Sequence, residues 1–193
     1  MTSLKHYQNY INGEWKNSLS GKTYEVFNPA DKNHLLGIIP FSLREDLDNA
    51  IDSASSSLEK WSKITAPQRG EILFEVLKIT NSRKEELTQT ITLEEGKIFS
   101  DSQAEVKRAM NIIEFSAGEG RRLLGNTNQS EHQDNVSYTI RKPLGVVGII
   151  TPWNFPLAIP AWEIAPALIC GNTLVLKPAF STPLSAIKLI EIF

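Results

Sequence analysis

The sequence predicts an α/β fold that contains a parallel β-sheet. Two short apolar runs, Leu144–Ile150 and Leu174–Leu176, do not alternate with polar residues, which is typical of strands covered by helices on both faces. The segment between them, residues 151–173, is long enough for a helical crossover between parallel strands. Upstream, between residues 42 and 118, apolar residues recur at helical spacing. Strands and helices arranged in this way indicate the α/β class.

The composition excludes several classes of function. The 193 residues carry a formal net charge of −2, with acidic and basic residues interspersed, so we expect no nucleic-acid partner and no polybasic membrane anchor. No apolar run reaches the roughly 18 residues that a membrane-spanning helix needs, and residues 1–13 contain no apolar core of a signal peptide. The single cysteine, Cys170, excludes an internal disulfide. We therefore expect a cytoplasmic protein without a membrane segment.

The titratable residues predict no metal site. His6, His34 and His132 lie far apart in the sequence, and none has a partner at metal-ligand spacing. Glu94 and Glu95 are adjacent at a predicted helix end, where neighbouring carboxylates do not face each other across a cleft.

The sequence also lacks the glycine motifs of dinucleotide-binding folds and P-loops, and the serine motif of α/β-hydrolases.

The N-terminal region predicts a small antiparallel β-structure. Asn12-Gly13, flanked by Tyr10 and Trp15, is the strongest short-range signal for a hairpin. A further strand is predicted at Thr23–Phe27, where the turn signal Asn-Pro ends it. We expect a structural role for this region.

Helices are predicted from residue 42 onwards. The predicted capping boxes at their starts are Ser42 with Glu45, Thr65 with Gln68, Ser82 with Glu85, and Ser100 with Gln103. Gly96 is predicted to end one helix, and Phe115 is expected to face inward in the next. Residues 129–135 predict a polar loop, and the alternation in Val136–Arg141 predicts a half-exposed strand. A last helix from Thr182 has no stop signal before the final residue, so we expect this sequence to be the N-terminal part of a larger protein.

Polar residues follow both apolar strands, at the edge where an open α/β sheet binds its ligand. In the loop Thr151–Pro156, two prolines hold a rigid segment around Asn154. The Asn154 amide can donate a hydrogen bond to a developing oxyanion, and it needs no particular protonation state to do so. Alternatively, Asn154 caps the helix that begins near Phe155. Spacing alone favours the cap.

Lys177 and Cys170 are the other candidates for a functional role. Lys177 ends the second strand, where its ammonium can reach a ribose hydroxyl or a phosphate. Alternatively, it extends into solvent, which is the commoner behaviour of lysine. Cys170 lies at the end of a predicted helix, where the helix dipole disfavours the thiolate. We therefore interpret Cys170 as a small buried hydrophobic residue.

Several short motifs are more specific than strand or helix spacing. They are Tyr10–Trp15, Asn28-Pro29-Ala30, Glu95-Gly96-Lys97, Ile149–Pro156, Ala165-Pro166-Ala167-Leu168, Gly171-Asn172-Thr173 and Lys177-Pro178. Together they closely resemble the aldehyde dehydrogenase superfamily over nearly the whole chain. Two further segments, Ala117–Gly120 and Ile159–Trp162, are most like its α-ketoglutaric semialdehyde dehydrogenase branch.

The resemblance implies the N-terminal part of the aldehyde dehydrogenase fold. This region combines an incomplete Rossmann-like cofactor domain with a small antiparallel β-hairpin and an oligomerisation strand. Residues 1–135 would hold the hairpin and the helical portion of the cofactor domain. Residues 136–142 would form the strand that bridges subunits. Residues 143–193 would form the first βαβ units of the NAD(P)-binding domain.

The resemblance also implies a mechanism. In the family, a cysteine thiolate attacks the aldehyde, an asparagine amide and a backbone N–H hold the oxyanion, hydride passes to NAD⁺ or NADP⁺, and a glutamate-activated water hydrolyses the thioester. Asn154 would then be the oxyanion donor, against the argument from spacing. The implied cofactor contacts are Ile150, Thr151, Pro152 and Trp153 on the nicotinamide side, and Lys177 on the adenosine ribose with Pro178, Ala179 and Phe180 beside it.

Two features depart from the family pattern. Phe180 stands where NAD-preferring members often carry an acidic residue, so the expected cofactor is NAD or NADP. Cys170 does not match the motif of the nucleophile, and the positions of the family's cysteine and glutamate lie beyond residue 193. We therefore expect this chain alone to be inactive.

The implied substrate is a small aldehyde, including carboxylated semialdehydes, and the implied assembly of a full-length protein is a homo-oligomer, either a dimer or a tetramer. The alternatives are a non-catalytic remnant, or a fragment that binds the cofactor or pairs with a separate catalytic partner.

Overall fold

The computed structural model describes residues 5–193 and has a mixed α/β architecture. Its helices and strands in chain order are β1 (Asn9–Ile11), β2 (Glu14–Lys16), β3 (Thr23–Asn28), β4 (Asp31–Pro40), α1 (Arg44–Lys63), α2 (Ala66–Ser82), α3 (Lys84–Glu95), α4 (Phe99–Glu119), β5 (Thr127–Gln129), β6 (Val136–Tyr138), β7 (Val146–Ile150), α5 (Ala158–Ile169), β8 (Thr173–Lys177) and α6 (Pro183–Ile190). None of the helices within residues 5–193 is long and apolar enough to cross a membrane.

Two antiparallel hairpins open the chain. Between β1 and β2, Asn12 and Gly13 have φ angles of 56° and 76°, as a two-residue hairpin turn of type I′ requires. The predicted hairpin and the predicted strand at β3 are therefore confirmed. Strand β4 pairs with β3 and is not among the predicted strands, although it contains the apolar run Leu35–Ile39 after four polar residues.

The start of α1 differs from the predicted capping box. The backbone N–H of Leu43 donates to Oδ2 of Asp46 at 2.8 Å, so Asp46 takes the role predicted for Glu45. The Ser42 hydroxyl instead exchanges hydrogen bonds with the Asn9 side chain. The Ser42 side chain therefore binds Asn9 in β1 and does not cap α1.

The later helices confirm one of the predicted caps and the predicted helix end at Gly96. At α2, the N–H of Thr65 donates to Oε1 of Gln68 at 3.2 Å, as predicted. Helices α3 and α4 begin without a side-chain cap, so the predictions for Ser82 and Ser100 are wrong. Helix α2 ends at Ser82. Helix α3 ends at Glu95 and is followed by Gly96, whose φ of 85° suits glycine.

Helices α2, α3 and α4 pack with α5, α6 and the inner face of β7 around one apolar core. Its buried side chains include Leu73, Leu87, Ile91, Val106, Ala109, Ile113, Leu157, Ile164 and Leu189. The expectation that Phe115 lies in this core is wrong, because it is 59% exposed. The inward positions of α4 recur at helical spacing through 106, 109, 113 and 117, which places residue 115 on the opposite side of the helix.

Strands β7 and β8 form the predicted parallel pair, joined by α5. Val146 lies opposite Thr173 at one end of the register. The prediction that β7 is covered on both faces is wrong, because Val146 and Ile150 are exposed while Ile149 is buried. Helix α1 covers the outer face mainly at β8, where the Thr173 hydroxyl donates to the Ala54 carbonyl at 2.8 Å.

The segment between α4 and β7 forms a third hairpin, in which β5 pairs with β6. Gln129, predicted in a loop, lies in β5. The predicted strand Val136–Arg141 is shorter than expected, since β6 ends at Tyr138, and all three of its residues are exposed rather than half of them.

Candidate functional site

The carboxyl ends of β7 and β8 meet at one edge of the parallel pair. Ile150 lies opposite Lys177 in the register, and the N–H of Thr151 donates to the Lys177 carbonyl at 3.3 Å. The loops that follow the strands, residues 151–156 and 178–182, therefore begin side by side. This is the edge at which open α/β sheets bind ligands.

A hydrogen bond connects the two loops, since the Thr182 hydroxyl lies 3.3 Å from the carbonyl oxygen of Trp153. We call residues 150–156 and 177–182 the site edge. Most of it is open to solvent: Ile150 is 74% exposed and Trp153 is 59% exposed. The structure places all of the sequence-predicted site residues in this edge, namely Ile150, Thr151, Pro152, Trp153, Asn154, Lys177, Pro178, Ala179 and Phe180.

The Asn154 side chain lies in this edge without a hydrogen-bond partner among the described residues. Its side chain is exposed, and its amide forms no hydrogen bond with any other residue in the described range 5–193. Its backbone carbonyl, in contrast, accepts a hydrogen bond from Nζ of Lys97 at 2.9 Å. The backbone of Asn154 is therefore held while its amide is free to donate to a ligand.

The N-terminus of α5 is capped by Glu105 rather than by Asn154. Oε1 of Glu105 accepts hydrogen bonds from the N–H groups of Leu157 at 2.9 Å and Ala158 at 3.1 Å. Glu105 comes from α4 and is buried, and a carboxylate complements the positive end of the helix dipole better than a neutral amide does. The spacing argument that assigned the cap to Asn154 is therefore wrong.

Lys97 joins this cap to the loop. Its Nζ lies 2.6 Å from Oε2 of Glu105 and 4.3 Å from the ring centre of Phe155. Sequence reasoning missed Glu105, because its partners lie about fifty positions further along the chain and no local pattern marks the contact. Lys97 belongs to a motif that signalled the family, but the motif did not indicate this contact.

The N-terminus of α6 is also capped by a buried carboxylate. Glu94 accepts hydrogen bonds from the Ser185 N–H at 2.9 Å, from the Ser185 hydroxyl at 2.7 Å and from the Leu184 N–H. Burial raises the pKa of Glu94 to about 7, although the bonds from Ser185 favour the ionised form. Glu94 thus supports the loop 178–182 as Glu105 supports the loop 151–156.

The adjacent acids Glu94 and Glu95 do not act as a pair. While Glu94 faces α6, Oε2 of Glu95 lies 3.3 Å from Nζ of Lys97. Among residues 5–193, no three His, Cys, Asp or Glu side chains are grouped so that they could hold a metal ion.

The two carboxylate caps limit how this edge can bind a dinucleotide. The free N-terminus of a helix is a common site for a phosphate. At α5 and α6, Glu105 and Glu94 already occupy the backbone N–H groups. These N–H groups are therefore not free to bind a pyrophosphate, in keeping with the absence of a glycine-rich motif.

Lys177 and Phe180 form the outer portion of the edge. The Lys177 ammonium is exposed and donates to the carbonyl of Pro178 at 2.9 Å. The Phe180 ring lies 3.9 Å from that of Tyr24 on β3, at an interplanar angle of 41°. This position therefore presents an aromatic surface with no acceptor for a ribose hydroxyl.

The interpretation of Cys170 as a buried hydrophobic residue is wrong, because Cys170 is exposed. Its neighbours Ile169 and Gly171 are buried; Gly171 has a φ of 87°, and the Ile169 carbonyl accepts hydrogen bonds from the Arg69 guanidinium. Cys170 follows the C-terminus of α5, whereas Asn154 precedes the N-terminus. The 12 residues of α5 span about 18 Å at 1.5 Å per residue, so these two side chains cannot act on one carbonyl group.

Comparison with known proteins agrees with the fold and the motifs. A sequence profile of the aldehyde dehydrogenase family matches residues 15–193. The α-ketoglutaric semialdehyde dehydrogenase of Bacillus subtilis (strain 168) is 42% identical over 193 residues, which are 100% of this chain and 40% of that protein.

Two solved structures have a TM-score of 0.94 with this chain. One is an NADP-dependent enzyme of E. coli, 37% identical, with 97% of this chain and 39% of that chain covered. The other is an NAD-dependent aldehyde dehydrogenase of Sinorhizobium meliloti, 30% identical, with 98% and 38% covered. The chain thus spans about two fifths of the length of these proteins, and its architecture is that of the N-terminal part of their fold. The chain belongs to the aldehyde dehydrogenase family.

Proposed function

We propose that this chain forms the cofactor edge and supplies the oxyanion donor of an NAD(P)-dependent aldehyde dehydrogenase. The observation that carries the proposal is the Asn154 amide, which is exposed at the edge because Glu105 has taken over the helix cap. When a thiolate adds to an aldehyde, negative charge develops on the carbonyl oxygen. A fixed neutral donor stabilises that charge without a change in its own protonation.

The thiolate in this proposal does not come from these 193 residues. They contain one cysteine, and Cys170 lies at the far end of α5 from Asn154. The nucleophile and the base that activates water are therefore assigned to sequence beyond residue 193, as the family pattern implies. The 193-residue chain by itself would be inactive.

The cofactor in this proposal is NAD⁺ or NADP⁺, which would accept the hydride when bound. Ile150, Thr151, Pro152 and Trp153 would form the wall beside the nicotinamide. Lys177 would donate to the adenosine ribose, with Pro178, Ala179 and Phe180 beside it. Support comes from the exposure of Ile150, Trp153, Lys177 and Phe180 along this edge. Glu105 and Glu94 occupy the backbone N–H groups at the starts of α5 and α6, so those helix ends are not expected to bind the pyrophosphate. Both cofactors stay open, since similar structures include an NADP-dependent and an NAD-dependent enzyme.

The substrate in this proposal is a small aldehyde with a carboxylate at its other end. Arg108 on α4 is exposed, and its guanidinium carbon lies 5.8 Å from the centre of the Phe155 ring. Within the described portion of the chain, no ion pair includes Arg108. A free cation beside the Asn154 loop suits the carboxylate of a semialdehyde, which is the substrate named for the Bacillus subtilis relative.

We further propose that residues 136–142 bridge the subunits of a homo-oligomer, a dimer or a tetramer. They lie between the N-terminal region, residues 1–135, and the βαβ region, residues 143–193. Apolar side chains support this role, since Val136 is 81% exposed and Tyr138 is 63% exposed.

The competing proposal is a non-catalytic remnant, or a fragment that only binds the cofactor or a partner, and the missing thiol favours it. An enzyme assay separates the proposals. The complete dehydrogenase and the fragment of residues 1–193 are each mixed with α-ketoglutaric semialdehyde and NAD⁺ or NADP⁺, and the absorbance of the reduced nicotinamide is followed. We expect activity from the complete dehydrogenase and none from residues 1–193. We also expect Cys170→Ala to leave the rate unchanged. Loss of activity in Cys170→Ala would contradict the assignment of the nucleophile.

A further inference from the structure

A buried ion pair lies directly beneath the loop that carries Asn154. Nζ of Lys97 is 2.6 Å from Oε2 of Glu105 and 2.9 Å from the backbone oxygen of Asn154. The side chain of Lys97 is 13% exposed and that of Glu105 is fully buried. One ammonium group therefore connects α4 to the peptide group of the proposed oxyanion donor.

We propose that the Lys97–Glu105 pair is a positioning element that sets the orientation of the Asn154 amide. This inference rests on the proposed role of Asn154, but its structural component can be tested separately. Neither Lys97 nor Glu105 would touch the substrate. Both would act through the backbone of the loop.

The contacts hold the loop from Asn154 to the start of α5. Lys97 holds the peptide group between Asn154 and Phe155 by its oxygen, and its ammonium packs on the Phe155 ring. Three residues further along, Glu105 holds the first N–H groups of α5. Loss of the Lys97 contact would release the backbone of Asn154, and a shift of that backbone would redirect the amide.

The pair is also strong enough to impose this geometry. Hydrogen bonds between ionised groups are roughly twice as strong as those between neutral groups. Removal of the Lys97 charge leaves the Glu105 carboxylate buried without its ion-pair partner, which is strongly unfavourable. Glu95 offers Lys97 a second carboxylate at 3.3 Å, but Glu95 makes no hydrogen bond to the loop. The contact to Asn154 therefore depends on Lys97, and that to α5 depends on Glu105.

The test on the chain itself uses isotope-labelled residues 1–193 and the NMR signals of the loop. Lys97→Met removes the donor but keeps the length of the side chain. We expect the carbonyl ¹³C signal of Asn154 to move upfield and its side-chain amide to change in shift. In Glu105→Gln, we expect the amide hydrogens of Leu157 and Ala158 to exchange faster, while those of α2 are unchanged.

Two controls separate positioning from general loss of structure. Glu95→Gln removes a charge beside the same ammonium and should leave the Asn154 signals in place. Lys97→Arg keeps a cation and should restore them in part. Unchanged Asn154 signals in Lys97→Met, or equal changes in Glu95→Gln, would overturn the proposal whatever the function of the protein.

The kinetic test uses the complete dehydrogenase and a double-mutant cycle. We expect Lys97→Met to lower kcat on the order of ten- to a hundredfold, because a small misplacement of a catalytic group costs about this much, with KM for the cofactor unchanged. In the Asn154→Ala background, Lys97→Met should have little further effect. Additive losses would overturn the positioning role while leaving Asn154 as the donor, and no effect of Asn154→Ala would refute the proposed function instead.

Discussion

At the scale of single residues, the availability of Asn154 depends on a side chain far away in the sequence. An asparagine just before a helix ordinarily caps it. Here Glu105 occupies the N–H groups of Leu157 and Ala158, so the Asn154 amide is left without a partner among the described residues. The same loop lies beside Arg108, a cation without an ion pair in residues 5–193. A neutral donor in this loop and a cation beside its Phe155 ring suit the two ends of a semialdehyde.

Arg108→Met in the complete dehydrogenase tests the second of these roles. We expect KM for a carboxylated semialdehyde to rise roughly 10- to 100-fold, since a hydrogen bond to a charged group contributes about 1.5–3 kcal/mol. KM for an uncharged aldehyde of similar length should stay the same. The matched control is Lys107→Met, which removes an exposed positive charge from the adjacent position. Equal changes for both substrates would contradict the role of Arg108.

At the scale of elements, α3 and α4 support both loops of the site edge. Glu94, near the end of α3, caps α6, and Glu105, on α4, caps α5. In each case a buried carboxylate accepts hydrogen bonds from the first N–H groups of a helix that follows a strand. These bonds hold the loops at the strand ends, and the carboxylates stabilise the positive ends of the helix dipoles without a ligand.

The Glu94 cap makes stability depend on pH. The pKa of Glu94 is about 7 in the folded protein and lies above its ordinary value of 4.5, so the folded state binds this proton more tightly than the unfolded state. The resulting stabilisation is complete below the ordinary pKa and is lost as the pH rises through about 7. Between these two pKa values, we expect the free energy of unfolding of the unmutated protein to fall relative to that of Glu94→Gln as the pH rises. The slope of this difference should be at most about 1.4 kcal/mol per pH unit.

Chemical denaturation at a series of pH values measures this difference. Glu85→Gln is the matched control, because Glu85 lies exposed on the same helix and its replacement should leave the pH dependence as it is in the native protein. Parallel stability curves for the native protein and Glu94→Gln would show that burial does not perturb this carboxyl.

At the scale of the whole molecule, the sequence predicts what is local and repeats along the chain. The hairpin at Asn12-Gly13, the helix end at Gly96 and the parallel pair β7–β8 each follow from a short pattern and are confirmed. The predicted site residues occupy one edge, because the carboxyl ends of parallel strands meet there. Their roles stay predictions.

What the sequence does not predict depends on contacts between distant elements. Glu94 and Glu105 cap helices from positions that no capping box indicates. The exposure of Cys170 and of the outer face of β7 depends on where α1 and the turn after α5 come to lie. Such outcomes are set by tertiary packing, to which local propensity is only a weak guide.

The most direct test of the central claim is the rate of aldehyde oxidation by Asn154→Ala in the complete dehydrogenase. If Asn154 donates to the oxyanion, kcat should fall about 10²–10³-fold, while the dissociation constant of the cofactor stays the same. Asn111→Ala, which truncates an exposed asparagine on α4, should retain full activity. An unchanged kcat in Asn154→Ala, under conditions where the chemical step limits the rate, would contradict the account.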